Sequence, residues 1–342
     1  MTDKSQILLT GATGYAGGSV LERLIHHPDA GNFDITILVR SSEKAKKFSE
    51  FGLNTVVGSF GDGKLLEELT AASDIVFNVA DSDNVEVAKA TLSGFKKRFQ
   101  ATGNPPIYIH TSGTAIIADL NAGGLYTSDV VWDDSNVDQL DTIPASALHR
   151  NVDLEVMQAD NEGYVRAYLV TPGTIYGIAS GKFVDAGLVN KHSIQIPALI
   201  KASLHRGQAG VIGKGLNSWP NVHIDEVADL YIDLFNAIRS NPDAVGHGRH
   251  GYYFALNDEH NLGDVSKELG RVLLALGKST TDEPKPFTKE EIDQYFNGMD
   301  FFGSDCRGLA NKAKAIGWKP KKTTKDLLAS IKPEVEAILE AK

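Results

Sequence analysis

The sequence predicts an α/β protein built on a doubly wound parallel sheet, with a smaller C-terminal lobe. Short apolar runs alternate with amphipathic helical patterns over the first half of the chain. The first apolar run leads through a glycine-rich turn into a helix, and the regular alternation ends after Gly177. Strands that alternate with helices form βαβ units, and a parallel sheet follows from their right-handed crossovers.

The first βα unit carries the most informative motif of the chain. An apolar run at residues 7–9 precedes the turn Thr10-Gly11-Ala12-Thr13-Gly14-Tyr15-Ala16-Gly17, and a helical pattern follows it. Gly11 permits a tight bend, Gly14 allows the backbone to approach a pyrophosphate, and Gly17 allows the helix to pack on the strand. The helix N-terminus then faces the phosphates, so a nucleotide cofactor is the leading hypothesis. The alternative is a merely structural glycine turn.

The alternation continues along the chain at regular intervals. A lysine-bearing helix is expected between strands at 34–40 and 55–58, and helices around residues 65–69, 84–100 and 146–160 are expected between strands at 55–58, 73–80, 106–112 and 165–170. We therefore expect a dinucleotide-binding domain over residues 1–177, with 218–258 returning to it, and a substrate-binding lobe formed by 178–217 and 259–342. Such a lobe would close over the carboxyl ends of the strands and select the substrate. The acidic loop at 116–145 borders this cleft or is a solvated surface.

Composition excludes several classes of function. The 342 residues are 42% hydrophobic and 23% charged, as in ordinary globular proteins. The formal net charge of −10 argues against nucleic acid as the main partner. No run is apolar enough to span a bilayer, no room remains for a targeting segment before the first strand, and Cys306 is the single cysteine. We expect a cytoplasmic protein that acts on a small molecule.

Four motifs occur in an order that is similar to the extended short-chain dehydrogenase/reductase superfamily, the group of NAD-dependent epimerases, dehydratases and related reductases. They are the glycine turn at 10–17, His110-Thr111-Ser112-Gly113-Thr114, Thr171-Pro172-Gly173-Thr174-Ile175-Tyr176-Gly177 and Val222-His223-Ile224-Asp225-Glu226-Val227-Ala228. Residues 315–320 resemble the C-terminal signature of the superfamily. The resemblance implies a seven-stranded Rossmann sheet, a C-terminal substrate lobe and an active site between them. It also implies a possible homodimer through the two helices that flank the serine strand.

The end of the second strand favours NADP(H) over NAD(H). Folds that prefer NAD place a carboxylate there, on the ribose 2′-hydroxyl, whereas this chain has Arg40 followed by Ser41. A guanidinium and hydroxyls suit a 2′-phosphate. The alternative is a solvent-facing arginine. The expected cofactor-binding residues are Gly11, Thr13, Gly14, Tyr15, Gly17, Arg40, Ser41, Ser59, Phe60, Asn78, Val79, Ala80, Pro172 and Thr174.

The candidate catalytic centre departs from the superfamily. Its members use a tyrosine followed four residues later by a lysine, and here His149 and Asp153 occupy those positions. A spacing of four places both on one helix face. Imidazole titrates near neutrality, so His149 is the candidate proton carrier, and Asp153 would orient it or bind the nicotinamide ribose. By resemblance, Ser112, with Thr114 as an alternative, would bind the reacting oxygen.

Three functions remain open. The first is an NADP(H)-dependent oxidoreductase that acts on a carbonyl or alcohol of a small organic molecule. The second is a non-catalytic NADP sensor or regulator, similar to the NmrA-like proteins. The third is a non-redox isomerase or cyclase on the same fold. Neither a paired-histidine helix nor a cysteine cluster is present, so we expect no metal.

Overall fold

The computed structural model of the protein describes residues 4–299 and 301–341. The strands are β1 (Ser5–Thr10), β2 (Phe33–Val39), β3 (Asn54–Val57), β4 (Ile75–Asn78), β5 (Ile107–Thr111), β6 (Trp132–Asp133), β7 (Arg166–Pro172), β8 (Thr174–Tyr176), β9 (Gly210–Val211), β10 (Ser218–His223), β11 (Tyr252–Ala255), β12 (Asp258–Asn261), β13 (Lys285–Pro286) and β14 (Gly308–Leu309). The helices are α1 (Tyr15–Ile25), α2 (Ser42–Glu50), α3 (Gly63–Ala71), α4 (Val85–Thr102), α5 (Val137–Leu140), α6 (Arg150–Asn161), α7 (Lys182–Asp185), α8 (Gln195–Arg206), α9 (Ile224–Ser240), α10 (Leu262–Ala275), α11 (Lys289–Phe296), α12 (Asn311–Ala315) and α13 (Thr324–Glu340).

The main sheet has seven parallel strands in the order β11-β7-β5-β4-β1-β2-β3. This confirms the predicted doubly wound fold. Helices α3, α4 and α6 pack side by side, and α1 packs with α9, as right-handed crossovers require. The strand order reverses between β1 and β4. In such sheets, the crevice at the reversal point is where a ligand binds, outside the carboxyl ends of the strands.

Polar caps fix where the helices of the first half begin. The side chains of Ser41, Asp62 and Asn84 accept backbone N–H groups at the start of α2, α3 and α4, respectively. Each cap follows a strand of the main sheet, so the chain turns into its helix at the carboxyl edge. The caps therefore lie on the edge that the ligand crevice occupies.

Two large hydrophobic cores accompany this architecture. The first joins the main sheet to α1, α6 and α9, and it also includes Cys306, Ala310, Ala313 and Trp318 from the C-terminal part of the chain. The second lies between α8, α10, α11 and α13. A three-stranded sheet, β12-β10-β8, stands beside the main sheet, so β11 and not β10 supplies the seventh strand. Within the described residues, no helix is both long and apolar enough to cross a membrane.

Candidate functional site

The turn between β1 and α1 leaves no room for a side chain at Gly11 or Gly17. Gly11 has φ +81°, and a Cβ there would lie 2.3 Å from the carbonyl oxygen of Val79. A Cβ on Gly17 would lie 2.2 Å from the carbonyl oxygen of Gly11. Gly14 caps α1, and its N–H donates to Gly11 over 2.8 Å. As a glycine, Gly14 brings no side-chain cap to the N-terminus of α1, which fits the pyrophosphate of a dinucleotide.

A segment formed by residues 186–191 is attached to this turn. The N–H of Asn190 donates to the carbonyl of Thr13 over 3.0 Å, and Val189 packs against Gly18. Lys44 reaches the same segment, because its Nζ donates to the carbonyl of Leu188 over 2.9 Å. At the start of α1, the hydroxyl of Tyr15 donates to the carbonyl of Gly177 over 2.5 Å. The phosphate-binding turn is thus tied to the chain that follows β8.

Arg40 lies at the end of β2, where the sequence predicts contact with the adenosine ribose. This residue is exposed directly after β2, while Ser41 uses its Oγ to accept the N–H of Lys44. Ser59 is exposed and accepts the N–H of Gly61. Phe60 packs against a small cluster of Leu38, Leu66 and Val87. Arg40 is therefore the charged group that the end of β2 offers to a ribose.

The side chain of Asn78 lies beneath the crevice. Its Oδ1 accepts the hydroxyl of Thr10 at 2.6 Å, and its Nδ2 lies 3.0 Å from Nδ1 of His110. Val79 is half-buried and Ala80 is exposed. Of the three residues expected along the ribose and nicotinamide, Asn78 thus has its amide in a buried network and not in the cleft.

His149 lies directly before α6 and is held by an acidic residue. Its Nδ1 is 2.6 Å from Oδ1 of Asp83 and 3.1 Å from Oγ of Ser82. Its side chain is 18% exposed. The ring covers Gly113, where a Cβ would lie 2.9 Å from Nε2. An imidazole held at one nitrogen by a carboxylate has its other nitrogen available for proton transfer.

The backbone of His149 corrects the expectation that His149 and Asp153 share a helix face. His149 has φ +66°, in the left-handed region, and α6 begins only at Arg150. A residue with this backbone cannot continue a right-handed helix, so its side chain leaves the row that a spacing of four predicts. Asp83, and not Asp153, holds the imidazole.

Asp153 is fully buried and belongs to an internal network. Its Oδ2 accepts the hydroxyls of Ser112 and Tyr252, each over 2.8 Å, and Arg150 donates to Tyr252 over 2.7 Å. Burial raises the pKa of Asp153 to about 6, although these hydrogen bonds oppose the rise. Nε2 of His110 lies 3.9 Å from Oδ1 of Asp153, and burial lowers the pKa of His110 to about 3. The expected contact between Asp153 and the ribose conflicts with this burial.

The two hydroxyls expected at the reacting oxygen have internal acceptors. Ser112 is 4% exposed and donates to Asp153. Thr114 is 1% exposed and donates to the carbonyl of Pro172 over 3.2 Å. Thr174 is also buried, and Pro172 is half-buried. Either hydroxyl must turn away from its acceptor before it binds a substrate.

Comparisons with known proteins agree with this architecture. The model of the NmrA-like family matches residues 3–94. The oxidase ucsJ of Acremonium sp. is 27% identical over 355 residues, covering 99% of both chains. UDP-glucose 4-epimerase of Thermotoga maritima has a TM-score of 0.65 at 16% identity, covering 98% of this chain and 99% of its own. dTDP-glucose 4,6-dehydratase of Bacillus anthracis, solved with NAD, has a TM-score of 0.62 at 15% identity, covering 98% and 97%. The chain is thus similar to the NmrA-like family over its N-terminal part and shares the fold of the epimerase and dehydratase structures.

Within this fold, sequence reasoning missed Ser82, Asp83 and Tyr252. Asp83 follows β4 at the carboxyl edge of the sheet, the edge that also carries the glycine turn and Gly113. That placement was a usable signal, because side chains just beyond neighbouring parallel strands meet at one edge. Tyr252 gave no such signal, since it is one of four buried residues of β11.

The described residues form no cluster suited to a metal ion. Over residues 4–299 and 301–341, no group of three or more His, Cys, Asp or Glu side chains is arranged to hold a metal ion. Cys306 is buried, and its pKa is raised by that burial. Its thiol is directed to the carbonyl of Thr114 at 3.6 Å. The candidate site consists of the crevice at the glycine turn together with the His149–Asp83 pair beside Gly113.

Proposed function

We propose that the protein is an NADP(H)-dependent oxidoreductase that acts on a carbonyl or alcohol of a small organic molecule. The observation that carries this proposal is the His149–Asp83 pair, whose atoms lie 2.6 Å apart beside Gly113. An acid–base group is required wherever a hydride transfer creates or consumes an alkoxide. His149 supplies that group at the position where the superfamily resemblance implies a tyrosine.

The residues of the site have separate roles in the proposed reaction. When bound, the nicotinamide would supply or accept the hydride. His149 gives or takes the substrate proton at Nε2, and Asp83 holds Nδ1 so that the ring keeps one orientation. Asp153 positions Ser112 through its hydrogen bond and does not touch the substrate.

The named relatives support a redox function without defining the substrate. The relative that matches over nearly the whole chain carries the name oxidase, and the structural neighbour from Bacillus anthracis holds NAD. The glycine turn and the open N-terminus of α1 suit such a dinucleotide.

The preference for NADP(H) rests on Arg40 and is tested by calorimetry. Wild type is titrated with NADPH, NADP, NADH and NAD, and the Arg40→Ala variant is titrated in parallel. Loss of a charge-assisted contact to the 2′-phosphate should weaken NADPH binding by about tenfold or more and leave NADH binding unchanged. Lys46→Ala, an exposed cation on α2, is the matched control. Equal effects of the two variants would contradict the role of Arg40.

A second candidate, a non-catalytic NADP sensor, is favoured by two observations. The NmrA-like model matches the nucleotide-binding part of the chain, and Ser112 is bonded inward to Asp153. A sensor should bind NADP and NADPH with different affinities and show a redox-dependent complex with a partner protein. Turnover of a carbonyl compound that disappears in His149→Asn would reject this candidate.

A further inference from the structure

A cleft of about 510 Å³ is lined by residues that come shortly after Gly113 and shortly before His149 in the chain. One wall is the segment that follows Thr114, and the other is the segment at 144–147 that leads to His149. Ile116 of the first segment is three residues beyond Gly113 and Ala147 of the second is two residues before His149, so two lining segments adjoin in the chain the residues of the His149–Gly113 contact. Its volume falls in the usual range for small-molecule sites, about 300–1,000 Å³.

The lining of this cleft is mainly apolar. Ile116, Ile117, Leu120, Val130, Trp132 and Pro144 line it. Leu120 and Val130 are 48% and 54% exposed, although both are large apolar side chains. Apolar side chains that stay exposed around a concave surface indicate a binding site for apolar groups. Much of this wall belongs to the acidic loop predicted at 116–145, but it is formed by apolar side chains and not by charged ones.

Each charged residue of the cleft has a hydrogen-bond partner within the protein. Asp119 accepts the hydroxyl of Tyr126 over 2.6 Å, and Asp305 accepts the N–H groups of Ser128 and Ser218. Arg307, the cation of this lining, donates to Glu259 over 2.9 Å. An anionic ligand would therefore meet two carboxylates and a cation that already has a carboxylate partner.

We infer that the substrate is a neutral, predominantly apolar ketone or alcohol with a ring system that packs between Ile116, Val130 and Trp132. This inference rests on the proposed function for the reacting group. It differs from what the fold alone suggests, because the structural neighbour from Thermotoga maritima was solved with UDP-glucose, a dianionic nucleotide sugar. Burying its phosphates here would require cations that this lining does not provide.

The test uses 1-tetralone, a neutral bicyclic aromatic ketone, and UDP-glucose as probes on the full chain. Binding is measured by quenching of tryptophan emission, with Trp132→Phe identifying the contribution of Trp132. Tetralone should quench wild type and lose most of this signal in Trp132→Phe, whereas UDP-glucose should neither quench nor compete. Both titrations are run with and without NADP, so that binding to the cleft is read separately from cofactor binding.

A matched pair of exposed substitutions makes the assignment specific. Val130→Asp places a carboxylate against the ring and should weaken tetralone binding by about tenfold or more, since the charge would lose water on binding. Leu274→Asp makes a comparable change at an exposed position of α10, away from the cleft, and should leave the affinity for tetralone unchanged. Equal affinities for the two variants, or competition by UDP-glucose, would overturn the inference. If dinucleotides fail to bind while tetralone binding still depends on Val130, the redox function fails and the apolar cleft remains.

Discussion

His149 adopts a backbone conformation that few residues accept. Its φ of +66° lies in the left-handed region, where asparagine, aspartate and histidine are enriched among non-glycine residues. This conformation turns the imidazole toward Asp83 and Gly113 before α6 begins. The position of the proposed acid–base group thus depends on the unusual backbone of His149 and on its acidic partner.

Replacing His149 by asparagine separates proton transfer from folding. Asparagine tolerates the left-handed backbone but does not titrate, so His149→Asn should lower kcat by about 10²–10⁴ and leave NADPH affinity unchanged. Asp83→Asn, which keeps a neutral partner for the ring, should lower kcat less. Steady-state kinetics with a reducible ketone and calorimetry with NADPH provide the two readouts. Full turnover in His149→Asn would reject its role.

Asp153 should make stability depend on pH in a direction opposite to that of a salt-bridged aspartate. Its folded-state pKa of about 6 lies above the value of about 3.9 for an unfolded aspartate. The native state therefore holds an extra proton between these pH values, and the linked stability is present below about pH 4 and lost as the pH rises to about 6. Asp153→Asn keeps an oxygen that can accept from Ser112 and Tyr252. Relative to wild type, it should gain up to about 3 kcal/mol between pH 4 and 7, measured by urea unfolding.

Asp134 provides the contrasting variant for that experiment. Burial raises its pKa to about 6 as well, but its two oxygens accept three backbone N–H groups, from Phe254, Lys312 and Ala313. An amide would turn a donor toward at least one of these donors. Asp134→Asn should therefore lose about 1–3 kcal/mol at pH 7. Similar responses of the two variants would contradict the distinction between the two carboxyl groups.

At the scale of elements, contacts between backbone atoms fix the conformation of the glycine turn, and these atoms cannot move aside as a flexible side chain can. A Cβ on Gly17 would clash with the carbonyl oxygen of Gly11, whereas a Cβ on its neighbour Gly18 would clash only with the side chain of Val189. The sequence motif predicted the turn and its place after β1 correctly, because the motif has glycine at positions where a Cβ would clash with the backbone. It did not predict the 186–191 segment, because that contact joins residues far apart in the chain.

Two alanine substitutions should therefore behave differently. Gly17→Ala forces α1 away from the turn and should abolish NADPH binding, with no second-site relief. Gly18→Ala should weaken binding through the clash with Val189, and the added change Val189→Ala should restore most of it. Calorimetry on the two single variants and the double variant measures this coupling. Failure of Val189→Ala to rescue Gly18→Ala would show that the 186–191 segment is not the obstacle.

At the scale of the whole molecule, the C-terminal part of the chain returns to the main core. Trp318 is 2% exposed within that core, and its indole N–H donates to the carbonyl of Glu226 over 2.8 Å. Residues of α13 instead belong to the second core. The C-terminal region thus contributes to both cores, and the integrity of the sheet domain depends on it.

Removing the indole of Trp318 should destabilise the whole protein. Trp318→Ala deletes a fully buried ring and should lower the free energy of unfolding by about 3–5 kcal/mol. Trp132→Ala, a half-buried tryptophan in the apolar cleft, should cost clearly less. Urea unfolding followed by circular dichroism compares the two. Equal losses would mean that the contact of Trp318 with the main core contributes little.

The sequence by itself determined the alternation of strands and helices and the glycine turn after β1, because these follow from local periodicity and the sterics of glycine. Only the tertiary structure decided the chemistry of the site. Asp83 reaches His149 across 66 positions, Ser112 reaches Asp153 across 41, and Tyr252 reaches Asp153 across 99. Which side chains meet over such separations depends on sheet order and on one left-handed residue before α6, and neither leaves a local pattern in the chain.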